Sequence, residues 1–284
     1  MSRPCILCGN LKNNEIGSLD DYSIRECSKC FLQFLDPIPV RESLSKIYSD
    51  YYKSWDYCYS GNEVSRMKKA TFQRYLKLII PHISSGTLLD VGCATGELMQ
   101  TAQDLGFDVY GVEISPYGIH RCREKFGHNK IIDTNLKAGD FPLGFFNLIT
   151  LSDVIEHILE PVLFIDLLWS LLKPNGFLMI VTPDTSSFIK KIMGMHWPHY
   201  KEEHVYYYNR SNIIQLLSPR FKTIVLDKVY KTLTLDYVAN ILKAYSNYSG
   251  FRTIAYMLKL FPSRLRLQLF KVSIGEMLVL CRKK

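Results

Sequence analysis

Between residues 87 and 281 the chain alternates between short apolar runs and amphipathic segments, and this alternation restricts the fold more than any other feature. The apolar runs predict seven strands, at 87–91, 107–113, 130–133, 145–151, 177–182, 222–227 and 277–281. Helical periodicity predicts helices at 64–80, 96–105, 116–126, 162–172 and 211–217. Strands that alternate with helices lie mostly parallel in one sheet, with helices on both of its faces. The sequence therefore predicts an α/β fold with a doubly wound, mostly parallel seven-stranded sheet.

The remaining sequence predicts three further parts. Residues 1–36 are polar and contain two closely spaced cysteine pairs, and a Pro-x-Pro sequence follows them as a stiff linker. Residues 37–63 are predicted as this linker and a tyrosine-rich lid, and residues 64–284 as the α/β domain. A helical insertion at 232–274, with two amphipathic helices, is predicted before the last strand.

Four of the eight cysteines form two C-x-x-C pairs, Cys5 with Cys8 and Cys27 with Cys30. Two tight knuckles of this spacing can place four thiolates around one Zn²⁺ as a tetrahedron. About 35 residues cannot build a hydrophobic core alone, so the metal would supply on the order of 10 kcal/mol toward folding. The pattern predicts a zinc ribbon whose metal is structural, because four thiolates leave no open position for catalysis.

The first predicted strand runs into a glycine-containing loop, with the sequence L-L-D-V-G-C-A-T-G-E. Glycines at such a turn let a ligand approach the backbone, and the N–H groups of the next helix attract an anionic group. Glu113 ends the second strand, where a carboxylate suits the two hydroxyl donors of a ribose. The G-x-x-x-G spacing and the acidic Asp90 differ from a dinucleotide site and favour a ligand that carries an ammonium group. The alternative is an ordinary tight turn between strand and helix.

Several stretches resemble the motifs of class I S-adenosylmethionine-dependent methyltransferases. The glycine loop is similar to the first motif of that family, and V-Y-G-V-E-I-S is similar to the second. The fourth and fifth strands of the family are matched by F-F-N-L-I-T-L-S-D-V-I-E-H-I-L-E-P and L-L-K-P-N-G-F-L-M-I-V-T-P-D. The resemblance covers residues 64–230 and the final strand. It implies an enzyme that binds S-adenosylmethionine and transfers its methyl group.

The resemblance also implies which residues bind this cofactor. They are Asp90, Gly92, Cys93, Gly96, Glu113, Ile114, Asn135, Leu136, Ser152 and Asp153. Asp90 and the glycines would line the methionine end, Glu113 would hold the ribose, and Asp153 would lie beside the sulfonium. The adenine loop is expected where Asn135 and Leu136 stand. Two departures from the family pattern are Ala94 in place of glycine and Asn147 in place of aspartate, which is expected to be structural.

The ribbon, the linker and the tyrosines resemble the N-terminal part of a subfamily that includes sugar C-methyltransferases, and the larger domain also resembles ubiquinone-pathway methyltransferases. The Y-x-x-Y-Y sequence at Tyr48, Tyr51 and Tyr52 fits the lid of that subfamily. Tyr52 is accordingly expected to contact the cofactor. Packing at a domain junction is the alternative role for these tyrosines.

Methyl transfer from a sulfonium needs an aligned acceptor and a group that takes its proton, but no metal. Two histidine clusters follow predicted strands, one at His157 and one at His204, which Glu203 precedes. An unperturbed histidine pKa of about 6.5 suits a base near neutral pH. The stretch around His204 resembles the substrate-facing loop of sugar methyltransferases, so His204, helped by Glu203, is the first candidate base and His157 the second. Another group, or no base at all, is the alternative.

Basic residues are concentrated near the C-terminus. Residues 220–284 contain 13 Lys or Arg and 3 Asp or Glu, whereas the preceding residues sum to a charge of −2. This asymmetry indicates an acidic partner such as a phosphorylated substrate, a membrane surface or a nucleic acid, with a solvated basic surface as the alternative. The loop after the fourth strand reads L-S-D-V and lacks an N-P-P-F-like sequence, which argues against amino methylation of nucleic-acid bases.

The predicted function is therefore that of an S-adenosylmethionine-dependent methyltransferase acting on a small molecule. A sugar, a nucleotide sugar or a lipid-linked glycan is the expected acceptor, in surface polysaccharide or secondary metabolite synthesis. A zinc-ribbon RNA methyltransferase and a non-enzymatic S-adenosylmethionine-binding regulator are the alternatives. The sequence has neither an apolar run of transmembrane length nor a signal-peptide pattern, which predicts a cytoplasmic protein that can contact the inner membrane face peripherally.

Overall fold

The N-terminal ribbon is a small antiparallel sheet of strands β1 (Asn13–Leu19), β2 (Tyr22–Cys27) and β3 (Gln33–Asp36). The structure is a computed structural model, and it describes residues 3–39, 61–244 and 249–284. One cysteine pair lies in the turn before β1, and the other lies at the turn between β2 and β3. The predicted lid tyrosines, including Tyr52, lie outside the described residues.

The larger domain is built on seven strands, β4 (Gly86–Val91), β5 (Phe107–Val112), β6 (Ile131–Ile132), β7 (Phe146–Ser152), β8 (Leu172–Pro183), β10 (Phe221–Lys228) and β13 (Glu276–Lys283). They form one sheet in the order β10-β13-β8-β7-β4-β5-β6. The five strands from β8 to β6 in this order are parallel, and β13 is antiparallel to both of its neighbours. The predicted doubly wound, mostly parallel seven-stranded sheet is confirmed.

Helices form most of the connections between the strands and cover the faces of the sheet. They are α1 (Gly61–Ile79), α2 (Glu97–Gln103), α3 (Pro116–Phe126), α4 (Pro161–Leu171), α5 (Phe188–Met193), α6 (Arg210–Leu217), α7 (Leu235–Ala244), α8 (Ser249–Lys259) and α9 (Ser263–Arg266). Local sequence sets several of these starts. Ser115 caps α3 by accepting from the Gly118 N–H, with Pro116 at the first helical position, and Asn209 and Asn212 form a capping box on α6.

Consecutive residues in the central strands point to opposite faces of the sheet and form a core on each side. Leu89, Ile149, Ile180 and Val279 belong to one core, while their preceding neighbours Leu88, Leu148, Met179 and Leu278 belong to the other. All eight are fully buried. Each such side chain contributes about 1.5–3 kcal/mol on burial, which explains why these strands read as continuous apolar runs.

Three short strand pairings were not predicted. β8 begins at Leu172 and not at residue 177, because Leu172 pairs with Phe146 of β7. Strands β11 (Lys231–Leu233) and β12 (Phe270–Val272) form a hairpin that frames helices α7 to α9 of the insertion. Strand β9 (Tyr206–Tyr207) pairs with β3 and so joins the ribbon to the larger domain.

Within the described parts of the chain, no helix is both long enough and apolar enough to cross a membrane.

Candidate functional site

The loop between β4 and α2 adopts left-handed backbone conformations at three residues. Gly92 has φ 75°, Ala94 φ 49° and Gly96 φ 81°. A Cβ atom at Gly92 would lie 2.6 Å from Val154 Cγ2, and one at Gly96 would lie 2.6 Å from the Phe126 ring. Both positions therefore require glycine for conformation and for space, whereas Ala94 accepts the strain of a left-handed residue.

Glu113 follows β5 and accepts three backbone hydrogen bonds. Its Oε2 accepts from the Ala94 N–H at 2.7 Å, and its Oε1 accepts from the N–H groups of Ile114 and Ser115, both at 2.8 Å. The side chain is 3% exposed, and this burial raises its pKa although the backbone donors oppose the effect. Glu113 thus ties the glycine loop to the loop before α3, a role that comes in addition to the predicted ribose contact.

Asp90 lies at the carboxyl end of β4 and is 3% exposed. The Thr150 hydroxyl donates to its Oδ1 at 2.7 Å. Burial raises the pKa of Asp90 to about 7, and the charges of Glu113 and Glu97 add to this effect. A cationic ligand group beside Asp90 would therefore both bind it and favour its ionised form.

The other predicted cofactor residues differ in exposure. Cys93 is buried, with its Sγ 3.7 Å from Cys122 Sγ, and Leu136 is buried in the same core as Val91. Ile114 and Asn135 are exposed. Ser152 ends β7, and Asp153 follows it. The structure thus places predicted residues at the carboxyl ends of β4, β5 and β7, which are neighbours in the sheet.

An ion-pair cluster that the sequence-based predictions did not include is centred on Lys231, with Asp153 on its exposed side and Glu276 on its buried side. Lys231 Nζ is 3.4 Å from Asp153 Oδ2 and 2.6 Å from Glu276 Oε1, and His199 Nε2 is 3.6 Å from that same Glu276 oxygen. Glu276 is the first residue of β13 and is 2% exposed. The sequence signal for this cluster was Glu276, a charged residue directly before the apolar run M-L-V-L-C.

The charges within this cluster depend on one another. Burial raises the pKa of Glu276 to about 8, although Lys231 opposes this effect, and burial lowers the pKa of His199 to about 3. Desolvation also disfavours the charges of Lys231 and Asp153, but their mutual attraction and the contacts of both with Glu276 outweigh it. The pKa of Lys231 therefore lies well above its usual value, and that of Asp153 lies below its own. Lys231 therefore stays cationic and His199 neutral at neutral pH.

The structure brings the two candidate bases together. The ring centroids of His157 and His204 are 4.7 Å apart, and the His157 Nδ1–H donates to the Glu203 carbonyl at 2.7 Å. His204 is 4% exposed, and its Nδ1 has no hydrogen-bond partner among the described residues. Beside them lies the fully buried Glu156, whose Oε2 accepts from the Thr182 hydroxyl at 2.9 Å. Glu156 Oε1 likewise has no partner in the described part of the chain.

The expectation of an unperturbed histidine pKa is wrong for both candidates. Burial lowers the pKa of His157, and burial together with His157 and Lys201 lowers the pKa of His204 well below its usual value. Burial and the charge of Asp153 raise the pKa of Glu156 well above its usual value. At neutral pH both imidazoles are therefore neutral, each with a lone pair that can accept a proton, while the shift of the Glu156 pKa favours its protonated form.

Glu203 contacts this group through its backbone carbonyl. Its carboxylate lies 3.6 Å from Lys201 Nζ. Glu203 can therefore orient His157, because a carbonyl that accepts from Nδ1–H fixes the tautomer of the ring with the proton on Nδ1.

The four ribbon cysteines have the geometry of a tetrahedral metal site. Cys5 Sγ is 3.5 Å from Cys30 Sγ, Cys8 Sγ is 3.6 Å from Cys27 Sγ, and all four sulfurs lie within 4.8 Å of one another. Zinc–sulfur bonds of about 2.3 Å in a tetrahedron separate the sulfurs by about 3.8 Å, so the donor set fits Zn²⁺. Among the described residues, Glu156, His157 and His204 form another group with potential ligand atoms within 4.8 Å.

Comparisons with known proteins identify the family of the larger domain. A family model described as a methyltransferase domain matches residues 64–220. A ubiquinone biosynthesis O-methyltransferase of Cereibacter sphaeroides is 30% identical over 138 residues, which are 45% of this chain and 54% of that protein. The mitochondrial enzyme of the same name from Schizosaccharomyces pombe is 29% identical over 106 residues, 35% of this chain and 38% of that protein. The chain thus spans about half, or less, of the length of these curated relatives.

Solved structures show the same fold at low sequence identity. A protein from Pyrococcus horikoshii has a TM-score of 0.53 and 17% identity, with 83% of this chain and 99% of that chain covered. A SAM-dependent methyltransferase from Archaeoglobus fulgidus has a TM-score of 0.52 and 17% identity, with 76% and 94% covered.

Glu113→Gln should weaken S-adenosylmethionine binding by about 1–3 kcal/mol, because an amide nitrogen would face a backbone N–H that now donates to a carboxylate. Isothermal titration calorimetry measures this change, and a melting curve separates it from unfolding. Glu124→Gln, on the exposed side of α3, is the matched control and should bind like the wild type. Unchanged affinity in Glu113→Gln would contradict the ribose assignment.

Asp90→Asn should change the pH dependence of stability. Folded Asp90 keeps its proton up to about pH 7, whereas the unfolded chain releases it near pH 4, so in the wild type this residue costs stability increasingly between these values. Relative to the wild type, the free energy of unfolding of Asp90→Asn should therefore rise by up to about 4 kcal/mol between pH 4 and pH 7. Urea titrations across this range measure the difference, with the exposed Asp104→Asn as control. A constant difference would show that burial does not hold the Asp90 proton.

Proposed function

Because the chain belongs to the methyltransferase domain family, whose model matches more than half of it, we propose that it transfers the methyl group of S-adenosylmethionine to a small polyhydroxylated molecule. A sugar, a nucleotide sugar or a lipid-linked glycan is the acceptor class, in surface polysaccharide or secondary metabolite synthesis. The proposal includes a cytoplasmic location with peripheral access to the inner membrane face.

One observation carries the choice of acceptor. Polar atoms of Glu156, His199 and His204 are buried without hydrogen-bond partners in the described part of the chain. Glu156 and His199 lie near Asp153, and His204 lies against His157, at the carboxyl edge of the sheet, where open α/β folds bind ligands. Buried polar atoms normally have partners, so a ligand with several hydroxyl groups would satisfy what the protein leaves unsatisfied. A purely apolar acceptor would leave these desolvation costs in place.

In this proposal, residues at the ends of β4, β5 and β7 and in the loop after β6 hold the cofactor. Asp90, Gly92, Cys93 and Gly96 bind its methionine end, and Glu113 and Ile114 bind its ribose. The adenine contacts are Asn135 and Leu136, and Ser152 and Asp153 lie beside the sulfonium, with Tyr52 as a further contact. Bound S-adenosylmethionine would supply an activated methyl group. Lys231 keeps the Asp153 carboxylate ionised and in place, because the two are 3.4 Å apart.

The acceptor proton is assigned to His204. Its neutral ring carries an unpartnered Nδ1 that can take a proton from a hydroxyl or an acidic carbon. Protonated Glu156 beside it can donate a hydrogen bond to a second acceptor oxygen. The Glu203 carbonyl orients His157, which is the alternative base.

Purified protein incubated with methyl-labelled S-adenosylmethionine tests the acceptor class. The substrate panel should contain nucleotide sugars, an extract of lipid-linked saccharides, and total RNA. The proposal expects label in a saccharide fraction. Label confined to RNA would instead support a zinc-ribbon RNA methyltransferase, and no transfer with intact cofactor binding would support a non-enzymatic regulator.

His204→Ala should lower turnover about 10²–10⁴-fold with cofactor affinity near the wild-type value, because a positioned base is lost. The exposed His120→Ala is the control and should retain full activity. Since the His204 pKa is well below its usual value, the rate should show no inflection near pH 6.5 from this group. If His157→Ala is inactive and His204→Ala is active, the two roles are reversed. Melting curves distinguish both results from loss of the fold.

We also propose that Cys5, Cys8, Cys27 and Cys30 bind one structural Zn²⁺. The sulfur separations described above fit a tetrahedral ion, and each sulfur would be a thiolate in the loaded site. Burial raises the pKa of the Cys5 and Cys30 thiols, so without a cation these sulfurs would stay protonated.

Elemental analysis should find about one zinc ion per chain. Cys5→Ser should lose this zinc and lower the melting temperature, whereas Cys281→Ser, at a buried cysteine of β13, should retain it. A metal-free protein whose four ribbon cysteines are alkylated in the native state would contradict the assignment.

A further inference from the structure

The outer surface of the helical insertion presents large apolar side chains to solvent. Seven of them are at least 42% exposed, namely Ile254, Tyr256, Met257, Leu260, Phe261, Leu265 and Leu267. Tyr256 and Leu260 reach 67% and 66%. Single exposed apolar residues are common on protein surfaces, but a continuous group marks an interaction site. We call these seven residues the outer apolar face.

The outer apolar face follows the helical repeat. At about 100° per residue, the residues from Ile254 to Phe261 cover an arc of about 160° on α8 and its C-terminal turn. Ala255 is fully buried and lies at the centre of the opposite side. The helix therefore packs on the protein through Ala255 and the half-buried Phe251 and Leu258, and it turns a second set of large apolar residues outward, which a helix that only stabilises its own domain does not need.

Positive charge surrounds this face and negative charge is absent from its sequence. Residues 237–275 contain no Asp or Glu and six basic residues, which are Lys243, Arg252, Lys259, Arg264, Arg266 and Lys271. Arg252 lies at one border of the apolar arc, and Arg264 and Lys271 are exposed beyond its end. This arrangement suits the surface of an anionic bilayer. The apolar arc can contact the acyl chains, while the basic residues at its margins contact the lipid phosphates.

The insertion is fixed so that this face points away from the protein. Arg266 Nη1 lies 2.7 Å from Asp236 Oδ1, and Lys259 Nζ donates to Asn240 Oδ1 at 3.0 Å, so α8 and α9 are bonded to α7. On α1, Arg66 donates to the Leu267 carbonyl at 2.8 Å. These bonds use polar groups on the inner side and leave the large apolar side chains outside.

We infer that the outer apolar face docks the protein on an anionic lipid bilayer, with α8 lying in the plane of the interface. A second copy of the chain fits less well, because a symmetric contact would bring the basic margins of both copies together. RNA would pair with the cations but would leave the apolar side chains in water. The insertion begins at Lys231, which contacts Asp153, so the docking element is joined directly to the candidate site. The inference holds for a soluble or a lipid-linked acceptor.

Vesicle co-sedimentation of the full chain tests this inference. The protein should bind vesicles of phosphatidylcholine with phosphatidylglycerol and bind phosphatidylcholine alone more weakly. Leu260→Glu should reduce binding to both by about tenfold or more, because a charge would enter the apolar layer. Arg264→Glu should reduce binding to the anionic vesicles alone, and added salt should mimic it.

Leu143→Glu is the matched control, because Leu143 is 78% exposed but lies in a different part of the chain, and it should bind like the wild type. Methyl-labelled cofactor binding and a melting curve show that each variant is folded. Absence of binding to anionic vesicles, or equal loss in Leu143→Glu and Leu260→Glu, would overturn the inference. Saturable RNA binding without vesicle binding would also overturn it, as would a dimer that Leu260→Glu dissociates while vesicle binding is unchanged.

Discussion

The structure depends above all on how buried carboxyl groups are accommodated at one edge of the sheet. Asp90, Glu113, Glu156 and Glu276 are each at most 3% exposed, and a buried charge is costly unless it is paired, hydrogen-bonded or neutralised. Threonine hydroxyls bond Asp90 and Glu156, three backbone amides bond Glu113, and Lys231 contacts Glu276 at 2.6 Å. Each of these carboxyl groups has a partner from another part of the chain, so together they fix how the loops pack around the site.

The ribbon contributes to the same site through the backbone. β3 pairs with β9, the Leu35 N–H donates to the Val205 carbonyl at 3.0 Å, and the Val205 N–H donates to the Glu156 carbonyl at 2.9 Å. The segment that carries His204 is therefore held between the ribbon and the turn that carries His157. Four thiolates leave a metal no position for chemistry, but a metal that stabilises β3 would still position the candidate base.

Sequence patterns were most informative where one segment decides its own structure. α3 coincides with its predicted range, because Ser115 and Pro116 start the helix and Gly127 ends it. The strand at 86–91 and its glycine loop were likewise evident from a local apolar run and from residues that tolerate positive φ. β9 and the β11–β12 hairpin were missed, because strands of two or three residues carry no periodicity and form only when a distant partner pairs with them.

The sequence by itself determined the seven strands of the main sheet, their mostly parallel arrangement, the four-thiolate set and the acidic residues at strand ends, since each follows from local periodicity or spacing. Only the tertiary structure decided that Lys231, His199 and Glu276 meet beside Asp153, and that His157 and His204 face each other at 4.7 Å. It also decided that both histidines are neutral, because desolvation depends on everything packed around a group. Distance and burial are properties of the whole packed chain, and no local pattern encodes them.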